Sequence, residues 1–210
     1  MRKRVVSEQT PDQIIEAATR LFAQRDYTVV SVDEIADEIG LTKGGIYHYF
    51  RSKADVLVSA SMATLAFFND EISSCAAQLR GSAPQLRLLE LIRAHNGLTA
   101  KHHEAFIFLV RTRQVVSELA SETEENKLRA LYTAYEAPFV EAIQDGISSG
   151  VFRIVDPLVS ARFLLGACNW MAQWHRPEVA RQLGGPIWEE QVLDVMLQGL
   201  LRSSKELSGD

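Results

Sequence analysis

The sequence predicts an all-α fold, with a small N-terminal trihelical unit followed by a longer helical remainder. Three observations carry this. Segments with clear apolar periodicity repeat near 3.6 residues, no stretch sustains the alternation of a half-buried strand, and capping residues, glycines and prolines mark helix starts and stops at matching places.

Ile14, Ile15, Ala18, Leu21 and Phe22 make the core-facing stripe of a first helix. Ser31 with Glu34 three residues on is a capping box, opening a second helix that ends at Gly40. Thr42 caps a third, "KGGIYHYF", in which Ile46 and Phe50 face inward. Ser52 with Asp55 opens a long fourth helix through "KADVLVSASMATLAFFNDEISSCAAQL". Helices are expected near Pro84–Lys101 and His103–Leu119, and Ser121 with Glu124 opens another, which Pro138 should kink or break. "SSGVFR" reads as a turn. Asp156-Pro157 caps a helix running to about Trp174, and a last helix spans about 187–201.

The hydrophobic share of 47% and charged share of 23% are those of an ordinary globular protein. Two cysteines, Cys75 and Cys168, suggest no disulfide framework, which points to a reducing cytoplasm. "MRKRVVSEQT" lacks the apolar region of a secretory signal, and the longest apolar run, "AFIFLV", is far too short to span a bilayer. The net charge is −5, and residues 1–55 hold eight Lys/Arg against nine Asp/Glu. Any nucleic-acid contact must therefore rest on the placement of a few groups, not on a bulk positive field.

Helices two and three are joined by "GLT", the layout of a helix-turn-helix whose second helix enters the major groove. Adjacent glycines at the start of that helix each cost about 1 kcal/mol relative to alanine. Without side chains, Gly44 and Gly45 let the backbone come close to DNA, where N–H groups favour a phosphate. Lys43 can reach a base edge. Tyr47, His48 and Lys53 can offer hydroxyl, imidazole and ammonium groups to phosphates, as can the hydroxyls of Ser31 and Thr42. A buried helix–helix corner would also use these aromatics, but it would not need the capped preceding helix.

The stretch from Ile14 to Leu57, "IIEAATRLFAQRDYTVVSVDEIADEIGLTKGGIYHYFRSKADVL", strongly resembles the DNA-binding domain of the tetracycline-repressor-like (TetR) family. The resemblance implies a homodimer with a helix-turn-helix DNA-binding domain over residues 1–52. It also implies a C-terminal helical ligand-binding and dimerisation domain over 53–210. In that family the region matching Thr42–His48 and the lysine matching Lys53 contact DNA. The usual pattern has histidine before the phenylalanine. Here Tyr49 stands there and His48 one earlier, so either is a candidate for the phosphate contact. Arg2, Lys3 and Arg4 would form a minor-groove arm or a disordered tag.

Beyond the reader, "EAFIFLVRTR" places Phe106 near Arg111 and Arg113. "GACNWMAQWHRP" sets Trp170 and Trp174 four apart, with Asn169 beside them and Arg176 at the helix end. Such a pair packs a core or dimer interface, or lines an apolar tunnel for an amphipathic ligand. The "NW…W" pattern looks like that of the family branch sensing acyl-CoA thioesters, whose phosphates Arg111, Arg113, Arg162 and Arg176 could meet. The last two helices are apolar on more than one face: Leu158, Phe163, Leu164, Leu165 and Cys168, then Trp188, Val192, Val195, Met196 and Leu200. Such helices must bury a second side, which the family dimer would supply.

The expected function is a ligand-responsive transcriptional repressor, released from a palindromic double-stranded DNA operator by a small-molecule effector such as an acyl-CoA thioester. A multidrug-type repressor is the alternative effector class. An enzyme is disfavoured: no G-x-S-x-G, P-loop or Rossmann fingerprint occurs. His95, His102, His103 and Glu104 lack the second carboxylate–histidine pair of a helical metal site. No catalytic residue, metal or cofactor is expected.

Overall fold

The computed structural model describes residues 10–174, 194–195 and 197–201. Within these the chain forms eight helices: α1 (Thr10–Gln24), α2 (Val32–Glu38), α3 (Lys43–Tyr49), α4 (Lys53–Gln78), α5 (Pro84–Lys101), α6 (His103–Leu119), α7 (Glu122–Ser148) and α8 (Pro157–Trp174). The last expected helix falls mostly outside the described residues. Its end brings Leu201 into an isolated antiparallel bridge with Phe152, and Arg153 N–H donates to the Leu200 carbonyl at 3.0 Å. Among the described residues no helix is long and apolar enough to cross a membrane.

The capping chemistry forms as the sequence implies. Ser31 Oγ accepts from Glu34 N–H at 3.2 Å, and the Glu34 carboxylate accepts in return from Ser31 N–H at 2.8 Å. Those bonds, with Arg25 beside it, hold the Glu34 carboxyl down at about 2. Ser52 and Ser121 cap α4 and α7 through Asp55 and Glu124. Asp156 accepts from Val159 N–H at 2.8 Å, with Pro157 at the first helical position.

Pro138 lies inside α7 without ending it, so of the expected kink or break the break does not occur. Its ring removes one helix bond at a cost of about 3 kcal/mol. Phe139, Ala142 and Ile143, all 0% exposed, anchor the next turn. At about 1.5–3 kcal/mol for each large apolar side chain, their burial offsets the loss.

Packing divides the chain into two units: Met1–Phe67 with His102–Leu131, and Phe68–Lys101 with Tyr132–Asp210. In the first unit Ile14, Ala18, Phe22, Ile35, Ile46, Leu57 and Phe108 form the core. Here α6 lies against α1, with Phe22 and Phe108 stacked at 6.4 Å. In the second unit Leu88, Leu91, Ile92, Phe139, Ile143, Phe152, Ala161 and Leu164 pack together.

Gly146, near the end of α7, is fixed by a close approach. A Cβ built there would lie 2.1 Å from Cδ2 of Phe152, whose ring is 1% exposed. The ring has no solvent side to retreat to. Gly146→Ala is therefore expected to lower stability by about 1–3 kcal/mol in denaturant unfolding, despite alanine's better helix propensity.

Candidate nucleic-acid interface and ligand site

The turn between α2 and α3 is set by backbone geometry. Ile39 ends α2 and Gly40 takes φ 65°, a left-handed conformation costly for other residues. Leu41 N–H then reaches the Ala36 carbonyl at 2.8 Å and Gly40 N–H the Asp37 carbonyl at 3.1 Å, closing the helix end. Thr42 restarts the chain as the cap of α3, accepting from Gly45 N–H at 3.2 Å.

Ile46 (0% exposed) and Phe50 (7%) pin α3 to the core, so the opposite face points outward. On it Thr42, Lys43, Gly44, Tyr47 and His48 are exposed, and Gly45 and Tyr49 half-exposed. The His48 and Tyr49 rings meet edge-on at 4.9 Å. Nothing inside the protein requires the two glycines. A Cβ at Gly44 would meet only Thr42 Oγ1 at 3.9 Å, and one at Gly45 nothing nearer than 3.6 Å, an ordinary contact. Neither glycine has positive φ.

Four of the expected DNA-reading side chains have work inside the protein, Thr42 as the α3 cap among them. Ser31 is half-buried as the α2 cap. Lys43 pairs with Asp33 on the first turn of α2 at 2.8 Å, which raises the pKa of its ammonium. Both groups are exposed, so the pair can exchange for a base or phosphate at little cost. Lys53 departs furthest from expectation. Its ammonium donates to the carbonyls of Tyr27 (2.7 Å) and Val30 (3.0 Å) and sits 4.2 Å from the Tyr27 ring centroid. Two of its three N–H groups thus tie down the loop between α1 and α2, leaving at most one for a phosphate. Arg2, Lys3 and Arg4 lie outside the described residues.

The expected ligand residues are shared between the two units. Phe106, 5% exposed, is core of the first unit. Arg111 donates to the Ala23 carbonyl at 2.7 Å, capping the end of α1 instead of standing free for a coenzyme A phosphate. Arg113 is exposed in the same unit. In the second unit Arg162 forms a two-pronged pair with Glu136 at 3.0–3.1 Å. Trp170 is 56% exposed, so it does not line an interior tunnel of that unit. The cause is its position on α8: it shares one face with exposed Val159, Phe163 and Gly166, while Leu164, Leu165 and Cys168 point into the core. The Trp174 side chain and Arg176 lie outside the described residues.

As the sequence expects, α8 is apolar on two sides. Leu158, Val159, Phe163 and Trp170 remain exposed, as does Val195, whereas Leu164, Leu165, Cys168 and Leu200 are buried within the unit. Trp188, Val192 and Met196 lie outside the described residues.

Two features of the second unit had no clear sequence signal. A groove of about 310 Å³ runs between α4 and α5, lined among others by Glu71, Ile72, Cys75, Gly97 and Lys101. Its volume is at the lower end for a small-molecule pocket. Deeper in the same unit His95, 2% exposed, shares a hydrogen bond of 2.7 Å between Nδ1 and the Tyr135 hydroxyl. Burial lowers the imidazole to about 4, so it is neutral, although nearby Asn169 favours its charged form. Burial likewise keeps the Tyr135 phenol protonated and pushes the Cys168 thiol up to about 12. The buried Nε2 of His95 and Oδ1 of Asn169 make no other hydrogen bond, and Asn169 is the imidazole's remaining side-chain partner.

Residues 14–60 match the family described as bacterial regulatory proteins, tetR family, and residues 81–203 match the tetracyclin repressor-like C-terminal domain. The second match alone covers more than half of the chain. The HTH-type transcriptional repressor KstR2 of Mycolicibacterium smegmatis is 26% identical over 203 residues, covering 91% of each chain. A TetR family transcriptional regulator, PfmR of Thermus thermophilus, is 27% identical in a solved structure. That alignment has a TM-score of 0.72 and covers 90% of this chain and 99% of that one. The structure of AibR in complex with isovaleryl coenzyme A and operator DNA has 26% identity and a TM-score of 0.72, covering 91% of this chain and 97% of that one.

Proposed function

We propose, starting from a chain that belongs to the tetR family of bacterial regulatory proteins, that it represses transcription as a homodimer and leaves its operator on binding an acyl-CoA thioester. The observation that carries the DNA-binding part is the bare start of α3. Two glycines stand exposed or half-exposed where the protein's own packing has room for alanine. A backbone surface kept bare at a helix propensity cost of about 1 kcal/mol per residue is suited to lie against DNA.

In this reading residues 1–52 bind DNA and 53–210 bind ligand and form the dimer. Lys43 exchanges Asp33 for a base edge, and Thr42, Tyr47, His48 and Tyr49 meet phosphates. Ser31 and Lys53 contribute mainly by fixing the helices that present them. Apolar residues exposed on α8 pair across a two-fold axis, setting two readers on successive major-groove faces of a palindromic operator. The protein acts in the cytoplasm, where the DNA is, and catalyses no reaction.

The effector class rests on the likeness to AibR, whose structure holds isovaleryl coenzyme A together with operator DNA. Coupling has a local route, because Arg111 and the Phe22–Phe108 stack bind α6 to α1 beneath the reader. To lower operator affinity 100-fold, an effector must prefer the DNA-incompetent form by about 2.7 kcal/mol, within the ordinary range of allosteric coupling. The test is to select binding sites from random duplexes with the purified protein, then titrate the complex with acyl-CoAs of graded length. A palindromic site and release by at least one thioester are expected. Release only by an unrelated hydrophobic cation would replace the effector class and leave the repressor standing.

A further inference from the structure

We propose that α8 meets its own copy antiparallel, with Phe163 of each chain seated over the bare backbone of the partner's Gly166 and Val159 against the partner's Trp170. This rests on the reading of α8 as the dimer face. It adds the register of that face and the partner the register accepts, a second copy of this chain.

Gly166 stands in the middle of α8, exposed and without positive φ, and a Cβ built on it would meet nothing within 4 Å. The protein's own packing therefore has room for alanine, which would hold the helix better. Kept as glycine, the position is a gap in a row of larger exposed side chains: Phe163 is 72% exposed, Val159 66% and Trp170 56%. Along the chain the row runs Val159, Phe163, Gly166, Trp170, with steps of four, three and four residues. That spacing is the seam of two helices crossing at a shallow angle.

A two-fold axis perpendicular to α8, at the level of Leu164 and Leu165, opposes the first member of this row to the last and the second to the third. Every layer then sets a large side chain against a small one, Phe163 against Gly166 and Trp170 against Val159. Other pairings fail on volume or polarity. A parallel pair opposes Phe163 to Phe163 and Gly166 to Gly166, which crowds one layer and leaves a void in the next. An antiparallel pair slid by one heptad sets Phe163 against Gln173, or Gly166 against Asp156. Because a side chain at position 166 would close the seam, the glycine also rejects chains that carry one there.

Two experiments test the register. In a full-length chain whose own thiols are replaced (Cys75→Ser, Cys168→Ala), positions 159 and 170 lie roughly 16 Å apart along the helix, too far for a disulfide within one chain. The double variant Val159→Cys/Trp170→Cys should therefore oxidise to a cross-linked dimer, whereas neither single variant should. Cross-linking of a single variant as complete as that of the double overturns the register. In the native chain, Gly166→Phe should stay helical by circular dichroism. Its dimer dissociation constant should rise at least 100-fold, about 2.7 kcal/mol, since the two-fold puts two collisions in each dimer. Combining it with Phe163→Gly exchanges the two members of the layer and should recover about tenfold or more of that loss. An unchanged dimer for Gly166→Phe, or no recovery in the exchange, overturns the seating of Phe163. Phe163→Glu separates the two ways of failing. If it parts the dimer, the register alone falls; if it does not, the reading of α8 as the dimer face falls with it.

Discussion

Phe163→Glu is expected to convert the protein to a folded monomer and to lower operator affinity at least 100-fold. Phe163 is 72% exposed on α8, in line with Val159 (66%) and Trp170 (56%), and it adds nothing to the core of its own chain. A glutamate there leaves the monomer intact. Paired across a two-fold, however, it buries two carboxylates in one interface, and removing the match from a buried site costs about 3–5 kcal/mol. Each 1.4 kcal/mol is tenfold in association, and a monomer grips a single half-site. Sedimentation and circular dichroism together check this: the dimer should vanish while the helical signal stays. Leu200→Glu is the contrasting variant. Leu200 is 6% exposed within its own unit, so the substitution should unfold the chain and not merely part the dimer. An unchanged dimer for Phe163→Glu would move the interface off α8.

The features legible in the sequence were those fixed within one or two turns of chain. Ser31 with Glu34, Thr42 ahead of Gly45, and Asp156-Pro157 each cap a helix through bonds spanning three residues, so the spacing alone carries them. The reader could therefore be placed, with Ile46 and Phe50 assigned inward. What escaped depends on partners far away in sequence. Arg111 meets Ala23 across 88 residues, and Lys53 meets Tyr27 across 26. A side chain's charge says that it can bond, but the tertiary fold decides to what. The apolar surplus of α8 was visible, but periodicity could not say which of its faces meets the protein's own core. That is why Trp170 stayed open between a core, a dimer interface and a tunnel. His95 stood out in the sequence only for its spacing to His102, whereas its actual partner, Tyr135, comes from another helix 40 residues on. Pro138 shows the same limit in reverse, since a local rule yields where Phe139, Ala142 and Ile143 beyond it are fully buried.

Gly44→Ala is expected to separate stability from function. The new methyl would meet Thr42 Oγ1 at 3.9 Å and nothing else within 4 Å, so the fold accepts it without strain. Alanine relieves the helix of about 0.5–1 kcal/mol of backbone entropy cost, which for a chain of this size raises the melting temperature by roughly 1–4 °C. On DNA the same methyl stands between the α3 backbone and the surface it approaches. Either the helix withdraws and Lys43, Tyr47 and His48 lose their reach together, or a close contact is compressed. A loss of about 100-fold, or 2.7 kcal/mol, corresponds to two or three such polar contacts. The direct measurement is the paired melting temperature and operator dissociation constant of wild type and Gly44→Ala at one salt concentration. A variant that melts higher and binds about 100-fold more weakly is the predicted result, whereas one that melts higher and binds the operator as tightly as wild type would contradict the placement of α3 against DNA.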